Sequence, residues 1–232
     1  MPSRDWQGAF VYSANTMKIT VIIPTYHRVR TLLQALQSLQ QQTFDAFEIL
    51  VVDNSAESSV SNLINEFNRT AKIKAKYIHE PRVGVHYARN AAALIACGGL
   101  LLYADDDMSF APDWVGAYAR AFEEHPEMGA AAGPVRAYWD QPPQQWLLEF
   151  IDRGNARCFT ILSLMDLYDG FKISASEGFF SCNMAIRKNV LIARGGFNPE
   201  NTAGKWVGDG ESGLNRRTVS YTHLTLPTIY SV

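Results

Sequence analysis

The sequence predicts an α/β fold, a mostly parallel sheet covered by helices on both faces. Three short apolar runs, at residues 18–24, 47–52 and 100–104, have the continuous hydrophobicity of strands that are buried on both sides. Segments with helical periodicity separate these runs. Strand and helix therefore alternate along the chain, which is typical of a parallel sheet. The pattern loosens beyond Gly129, so we expect a mixed second half.

The first two strands and their helices are the clearest elements. The run KITVIIP at 18–24 is rich in β-branched residues and ends at a proline. The run FEILVV at 47–52 is followed by Asp53. Each strand precedes an apolar stripe at helical spacing, formed by Leu32, Leu33, Leu36 and Leu39 and by Val60, Leu63, Ile64 and Phe67.

The next elements repeat this order. Residues 75–79 predict a third, weaker strand, and the alanine-rich segment 87–96 predicts a helix. The run LLLYA at 100–104 is the fourth strand, and a further amphipathic helix follows Pro112.

The second half gives weaker signals. Residues 128–138 and 179–187 predict strands, and residues 142–151 predict a short helix behind two prolines. A final helix is expected to stop at the glycine pair 195–196. Residues 153–178 show no clear pattern.

Composition excludes several classes of protein. The 232 residues include 21 basic and 23 acidic side chains, so the net charge of −2 provides no field for nonspecific nucleic-acid binding. Three cysteines without C-x-x-C spacing indicate a reducing, cytoplasmic location. The longest apolar stretch, 91–104, contains two glycines and is shorter than the roughly 20 residues of a membrane-spanning helix. We expect no transmembrane segment, and peripheral association with the inner face of the membrane stays open.

Three segments differ in composition. Residues 1–16 are polar and form an N-terminal extension outside the core, and residues 17–217 form the predicted domain. The tail 218–232 has no charged residue and many threonines, and it resembles translated adaptor sequence more than a domain. We expect an atypical, artefactual tail, and the alternative is a short terminal strand.

The strongest chemical signal is the run of three aspartates, Asp105, Asp106 and Asp107, directly after the fourth strand. Adjacent carboxylates repel one another, and a divalent cation such as Mg²⁺ or Mn²⁺ would relieve that repulsion. If the chain stays extended, Asp105 and Asp107 face one site while Asp106 faces away. The alternative is a solvated turn whose aspartate caps the next helix.

Asp53, at the end of the second strand, is the second signal. Acids at this position hold a ribose hydroxyl in dinucleotide folds. The first strand is followed here by TYHR at 25–28, without the glycines of a pyrophosphate loop, which argues against NAD and FAD. The alternative for Asp53 is a local turn with Asn54 and Ser55.

The third signal is the segment GDGESGLNRR, in which Asp209 and Glu211 open a predicted helix. A carboxylate that is ionised at neutral pH can serve as a general base. Capping of the helix N-terminus is the alternative, because the helix dipole favours acids there.

In this order, the motifs resemble those of the inverting GT-A glycosyltransferases of family 2, over residues 18–217. Five segments carry the resemblance: ITVIIPTYHRVRTLLQALQSLQQQTF, EILVVDNS, GVHYARNAA, YADDDMSFAPDW and FFSCNMAIRKNVLIARGGFNPE. The resemblance implies a GT-A, Rossmann-like sheet with a nucleotide-binding first half and a mixed, acceptor-side second half. It also implies metal-dependent transfer of a sugar from a nucleotide donor, a UDP-sugar in first place, to a hydroxyl of a saccharide, a lipid-linked or another acceptor. Cell-envelope polysaccharide biosynthesis is the implied setting.

The resemblance also implies roles for residues. Asp105 and Asp107 would hold Mn²⁺ or Mg²⁺, Asp53 would contact the nucleoside, and Glu211 would be the base with Asp209 as runner-up. The family usually has Glu-Asp at the base motif, so the sequence DGESGL at 209–214 departs from it. The implied donor-binding residues are Pro24, Thr25, Tyr26, Arg28, Asp53, Asn54, Arg89, Asn90, Asp105 and Asp106.

Two other functions stay open from the sequence. A nucleotidyltransferase also combines an α/β sheet with acid-held Mg²⁺, although it usually has a glycine-rich loop near the first strand. A truncated chain that binds nucleotide-sugar without turnover is the non-enzymatic alternative.

Overall fold

The structure, a computed structural model, describes residues 17–139, 141–153, 158–159, 164–165, 180–199 and 229–231. The elements in chain order are β1 (Ile19–Thr25), α1 (Val29–Leu39), β2 (Phe47–Asp53), α2 (Ser59–Thr70), β3 (Ala75–His79), α3 (Val85–Ile95), β4 (Leu100–Ala104), β5 (Met108–Phe110), α4 (Trp114–Glu124), β6 (Ala130–Ala132), β7 (Val135–Ala137), α5 (Gln145–Arg153), β8 (Cys158–Phe159), β9 (Leu164–Met165), β10 (Asn183–Arg187), α6 (Lys188–Ala193) and β11 (Ile229–Ser231).

The main sheet has six strands in the order β3-β2-β1-β4-β10-β6. The first four strands are parallel, and β10 runs antiparallel to both of its neighbours. Strand order changes direction at β1, because β2 lies on one side of it and β4 on the other. The carboxyl ends of β1, β2 and β4 therefore meet at one edge, the place where open α/β sheets bind ligands.

A smaller sheet has five short strands in the order β5-β11-β7-β9-β8. Strand β11 pairs antiparallel with β5 and parallel with β7. Residues 229–231 thus form the short terminal strand that the sequence left as the alternative for the tail. The rest of the tail, and residues 1–16, lie outside the described residues.

Two apolar layers cover the main sheet. On β1, Val21 and Ile23 pack toward α1, α2 and α4, while Ile22 packs toward α3 and α6. All three side chains are fully buried. Each buried aliphatic side chain contributes about 1.5–3 kcal/mol relative to exposure. This two-sided burial explains why the strands are continuously apolar in sequence.

The predicted α/β fold is confirmed, and the four predicted strands of its first half lie within a residue or two of the expected positions, whereas β5 was not predicted. One difference is in segment 128–138, which forms two short strands, β6 and β7, in different sheets. Gly133 and Pro134 separate these strands, and proline cannot donate a ladder hydrogen bond. No helix in the described part of the chain is long and apolar enough to cross a lipid bilayer.

Candidate functional site

A cavity of about 440 Å³ lies beyond the carboxyl ends of β1, β2 and β4. The loop between β3 and α3 forms its outer wall. Eight of the ten predicted donor-binding residues line this cavity: Pro24, Thr25, Tyr26, Arg28, Asn54, Arg89, Asp105 and Asp106. Val83, Gly84 and Val85 complete the lining.

Asp105 and Asp106 of the acid triplet line this cavity, and Asp107 lies next to them outside the lining. The Thr25 hydroxyl donates to Asp106 Oδ2 at 2.6 Å, and Arg28 Nη1 donates to Asp106 Oδ1 at 3.3 Å. The same Arg28 nitrogen donates to Asp107 Oδ2 at 2.7 Å. Burial raises the pKa of Asp106 to about 6, against the opposing effects of Thr25 and Arg28. The neighbouring carboxylates, Asp106 first, raise the pKa of Arg28.

The expectation that Asp106 faces away from the site is wrong. Residues 105–107 form a turn between β4 and β5, so their side chains do not alternate as in an extended strand. Asp106 is 4% exposed and lines the cavity. Asp107 forms an ion pair with the same Arg28 and lies outside the cavity lining that the structure describes.

Asp105 is held by a second arginine. Arg89 Nη2, on α3, donates to Asp105 Oδ1 at 3.1 Å. The Arg89 side chain is 3% exposed, and its guanidinium lies 5.5 Å from the centre of the Phe197 ring. The His86 ring also stacks on the Phe197 ring, with the two centroids 5.3 Å apart. Packing therefore fixes the direction from which Arg89 reaches Asp105.

Asn90, the next residue on α3, makes a different contact from the one predicted. Its amide donates to the Phe197 carbonyl at 2.8 Å and accepts from the Phe197 N–H at 2.9 Å. Gly196 lies against this amide with φ of 74°, and a Cβ there would come within 2.6 Å of Asn90 Oδ1. Asn90 thus anchors the loop after α6, outside the cavity lining, and the role in donor binding stays a prediction.

Asp53 is fully buried at the end of β2. Its Oδ1 accepts from the Ser55 N–H at 2.8 Å and the Ser55 hydroxyl at 2.6 Å, and its Oδ2 accepts from the Tyr77 hydroxyl at 3.3 Å. The contact to the N–H two residues ahead is the local turn that the sequence left as an alternative. A contact of Asp53 with a nucleoside therefore remains a proposal.

Asn54 connects this turn to the outer wall. Its side-chain amide donates to the carbonyls of Glu80 and Arg82, each at 2.9 Å. Glu80 in turn accepts from Arg82 Nε and Nη2, both at 2.7 Å, and the Arg82 guanidinium lies over the Tyr87 ring at 4.7 Å. The sequence analysis missed Glu80 and Arg82, although the segment EPRVG between a strand and a helix signals a loop at the ligand edge.

The described part of the site suits a cation that is coordinated partly by the protein and partly by a substrate. Asp105 and Asp107 offer the carboxylate oxygens that Mg²⁺ and Mn²⁺ prefer, and two arginines neutralise them in this structure. No group of three or more acidic, histidine or cysteine side chains among the described residues is placed to hold a metal alone. Mg²⁺ is often held by one or two carboxylates together with substrate phosphates. The residues present therefore fit such a site.

The predicted base lies outside the part of the chain that the structure describes. Glu211 and Asp209 both fall within the undescribed residues 200–228. Their roles stay predictions.

Sequence comparison identifies the family of this chain. The sequence model described as Glycosyl transferase family 2 matches residues 20–194, more than half of the chain. The glycosyltransferase YfnE of Bacillus subtilis (strain 168), itself uncharacterized, is 37% identical over 108 residues. That match covers 46% of this chain and 27% of YfnE, so the chain spans about a quarter of that relative.

Solved structures share the fold. The mannosyltransferase PcManGT from Pyrobaculum calidifontis, in complex with GDP-Man and Mn²⁺, matches with a TM-score of 0.62 at 20% identity, over 94% of this chain and 57% of that protein. TarS 1-349 of S. aureus, in complex with UDP-GlcNAc, matches with a TM-score of 0.65 at 17% identity, over 93% of this chain and 58% of that protein. At these identities the likeness establishes a common α/β architecture.

Proposed function

Because the chain belongs to glycosyl transferase family 2, we propose that it transfers a sugar from a nucleoside-diphosphate sugar to a hydroxyl group. The observation that carries the proposal is the cavity at the ends of β1, β2 and β4, where three aspartates meet two arginines. PcManGT and TarS are similar proteins whose structures hold GDP-Man with Mn²⁺ and UDP-GlcNAc. A UDP-sugar is the favoured donor, and the acceptor is a saccharide, a lipid-linked or another hydroxyl compound. Three cysteines without C-x-x-C spacing favour a cytoplasmic location.

In this proposal the chain's own residues bind and orient the donor. Asp105 and Asp107 would hold Mn²⁺ or Mg²⁺, which stabilises negative charge on a leaving nucleoside diphosphate. Thr25 orients Asp106, and Arg89, which packs against Phe197, orients Asp105. These positions are set by packing before the donor arrives, so little reorganisation is needed when charge develops.

The remaining residues would shape the two ends of the donor site. Tyr26 and Val83 are 49% and 57% exposed at the cavity, and they offer apolar surface to a nucleoside. Asp53 and Asn54 hold the wall behind it. Glu211, with Asp209 as runner-up, would accept the proton of the acceptor hydroxyl while that oxygen attacks the anomeric carbon. One displacement from the opposite face inverts the anomeric configuration.

Thermal melting tests the donor site directly. A ligand that binds only the folded state raises the melting temperature, so UDP, GDP, CDP and TDP are compared with and without Mn²⁺. We expect an Mn²⁺-dependent rise with one nucleotide, and loss of that rise in Asp107→Asn. Asp113→Asn is the control, because Asp113 is an exposed acid outside the cavity lining that pairs with Arg120. An Asp107→Asn variant with an undiminished rise would contradict the metal assignment.

A second experiment tests the base. Glu211→Gln keeps a similar volume and removes the carboxylate, so we expect intact nucleotide binding with transfer reduced by about 100-fold or more. Transfer to an acceptor is measured by the amount of nucleoside diphosphate that is released. Undiminished transfer in Glu211→Gln, with loss in Asp209→Asn, would move the role to Asp209. Nucleotide binding with no transfer in the unmodified chain would support the non-enzymatic alternative.

A further inference from the structure

Arg28 lies on one of the two carboxylates that the proposed function assigns to the metal. A single nitrogen, Nη1, reaches Asp107 Oδ2 at 2.7 Å and Asp106 Oδ1 at 3.3 Å. The acid triplet carries three negative charges when ionised, and Arg28 and Arg89 supply two positive charges. Arginine thus does in this structure what the sequence analysis expected of a divalent cation: it relieves the repulsion within the triplet.

The two arginines differ in how firmly they are held. The Arg89 side chain is 3% exposed and packed against Phe197, so its position is fixed by the core. The Arg28 side chain is 57% exposed, and both of its described ion pairs go through one terminal nitrogen. The Arg28–Asp107 pair is partly open to solvent, so it is screened and contributes little. Of the two arginines, Arg28 is therefore the one that a competing cation can displace from the aspartates.

We propose that Arg28 is a resident counter-cation on Asp106 and Asp107, which the divalent metal must displace when it binds. A metal on Asp107 would place a second positive charge beside the same carboxylate oxygen, and like charges repel. Arg28 therefore competes with the metal for these carboxylates and lowers the metal's affinity. It also keeps the triplet neutralised when metal and donor are absent. This inference rests on the proposed function, because it takes Asp107 as a metal ligand.

The test measures Mn²⁺ binding and does not depend on turnover. Free Mn²⁺ is titrated by electron paramagnetic resonance at constant pH, without nucleotide and at a fixed concentration of UDP. We expect Arg28→Gln to bind Mn²⁺ roughly two- to fivefold more tightly than the unmodified chain, which is the range of an exposed ion pair. Arg28→Lys keeps the positive charge and should bind Mn²⁺ with nearly unchanged affinity. Arg30→Gln makes the same charge change at an exposed position outside the cavity lining, and it should leave the affinity unchanged.

The possible outcomes distinguish failure of the displacement from failure of the proposed metal-dependent function. Unchanged or weaker Mn²⁺ binding by Arg28→Gln, in a variant whose circular dichroism matches the unmodified chain, overturns the displacement. An equal gain in Arg30→Gln also overturns it, because the effect would then come from net charge alone. Absence of Mn²⁺ binding in every protein, with UDP present, overturns both the inference and the metal-dependent function. Tighter binding in Arg28→Gln only, with Arg28→Lys unchanged, supports the displacement.

Discussion

Thr25 and Asp106 are 81 residues apart in sequence, yet their side chains share a hydrogen bond of 2.6 Å. Thr25 is the last residue of β1, and Asp106 follows β4, the strand next to it. Asp106 was expected at the ligand edge because it follows a strand of a parallel sheet, whereas Thr25 was expected there from the family resemblance. The sequence analysis could not predict that Asp106 is the buried member of the triplet, since a turn breaks the alternation that holds in a strand.

Removing the Thr25 hydroxyl should cost stability. Thr25→Val leaves the buried carboxylate of Asp106 with one donor fewer, and an unmet buried acceptor costs about 1–3 kcal/mol. Urea denaturation at pH 7.5 measures the free energy of unfolding. Thr25→Ser is the control, because it retains the hydroxyl, and it should lose less than Thr25→Val. Equal losses in the two variants would show that the hydrogen bond adds nothing.

Among the elements, β1, β2 and β3 are joined by a polar cluster near the amino ends of their strands. Glu48 on β2 accepts from the Thr20 hydroxyl at 2.7 Å and the Cys97 N–H at 2.6 Å, and from Lys76 on β3 at 2.8 Å. Burial alone would raise the pKa of Glu48, but these hydrogen bonds outweigh it and lower the pKa. The cluster lies at the edge opposite the cavity.

The lowered pKa of Glu48 predicts a pH dependence. An acid whose pKa is lower in the folded state stabilises that state above its unfolded pKa, and the benefit disappears as the pH falls through the folded pKa. Glu48→Gln should therefore be less stable than the unmodified chain by about 1–2 kcal/mol at pH 7. The difference should shrink below about pH 4. Urea titrations at pH 7 and pH 3.5 measure it.

The matched control is Glu66→Gln. Glu66 is an exposed acid on α2 that pairs only at the surface with Arg69, so its loss should change stability little at either pH. A difference between Glu48→Gln and the unmodified chain that stays constant down to pH 3.5 would disprove the electrostatic account.

For the molecule as a whole, the pairing of β4 with β10 joins the parallel strands to the antiparallel ones. Asn183 begins β10 opposite Ala104 and is fully buried. Its Oδ1 accepts from the Trp114 indole and the Tyr118 hydroxyl, each at 2.8 Å, and its amide donates to the Pro134 carbonyl at 2.9 Å. One side chain therefore connects β10, α4 and the segment between β6 and β7.

Asn183→Ala should be strongly destabilising. It leaves the Trp114 N–H and the Pro134 carbonyl unpaired in the core, at a cost of about 3 kcal/mol or more in the free energy of unfolding. Asn189→Ala, at an exposed position on α6, should cost less than about 0.5 kcal/mol. Guanidinium denaturation compares the two variants. Similar small losses in both would show that the Asn183 network does not join the two parts.

Local periodicity was sufficient to predict β1, β2 and β4, because each strand is buried on both faces and apolar throughout. The ends of these strands also predicted Asp53 and the acid triplet at the ligand edge, whereas Thr25 and Asn54 were expected at the site from the family resemblance. Local periodicity could not predict that β10 pairs with β4 in reverse direction, since strand order depends on contacts between residues far apart in the chain. For the same reason it did not show that Arg28 and Arg89, from different elements, neutralise the acid triplet.

The position of β10 beside β4 also affects how the protein is made. Strand β4 (LLLYA) pairs with β1 along one edge, and its other edge stays unpaired until residues 183–187 form β10. During synthesis the ribosome must add about 80 further residues, several seconds of elongation, before that partner exists. An open apolar edge is a template for pairing with other chains. A nascent or truncated chain that ends before Asn183 therefore exposes an aggregation-prone strand directly beside the cavity.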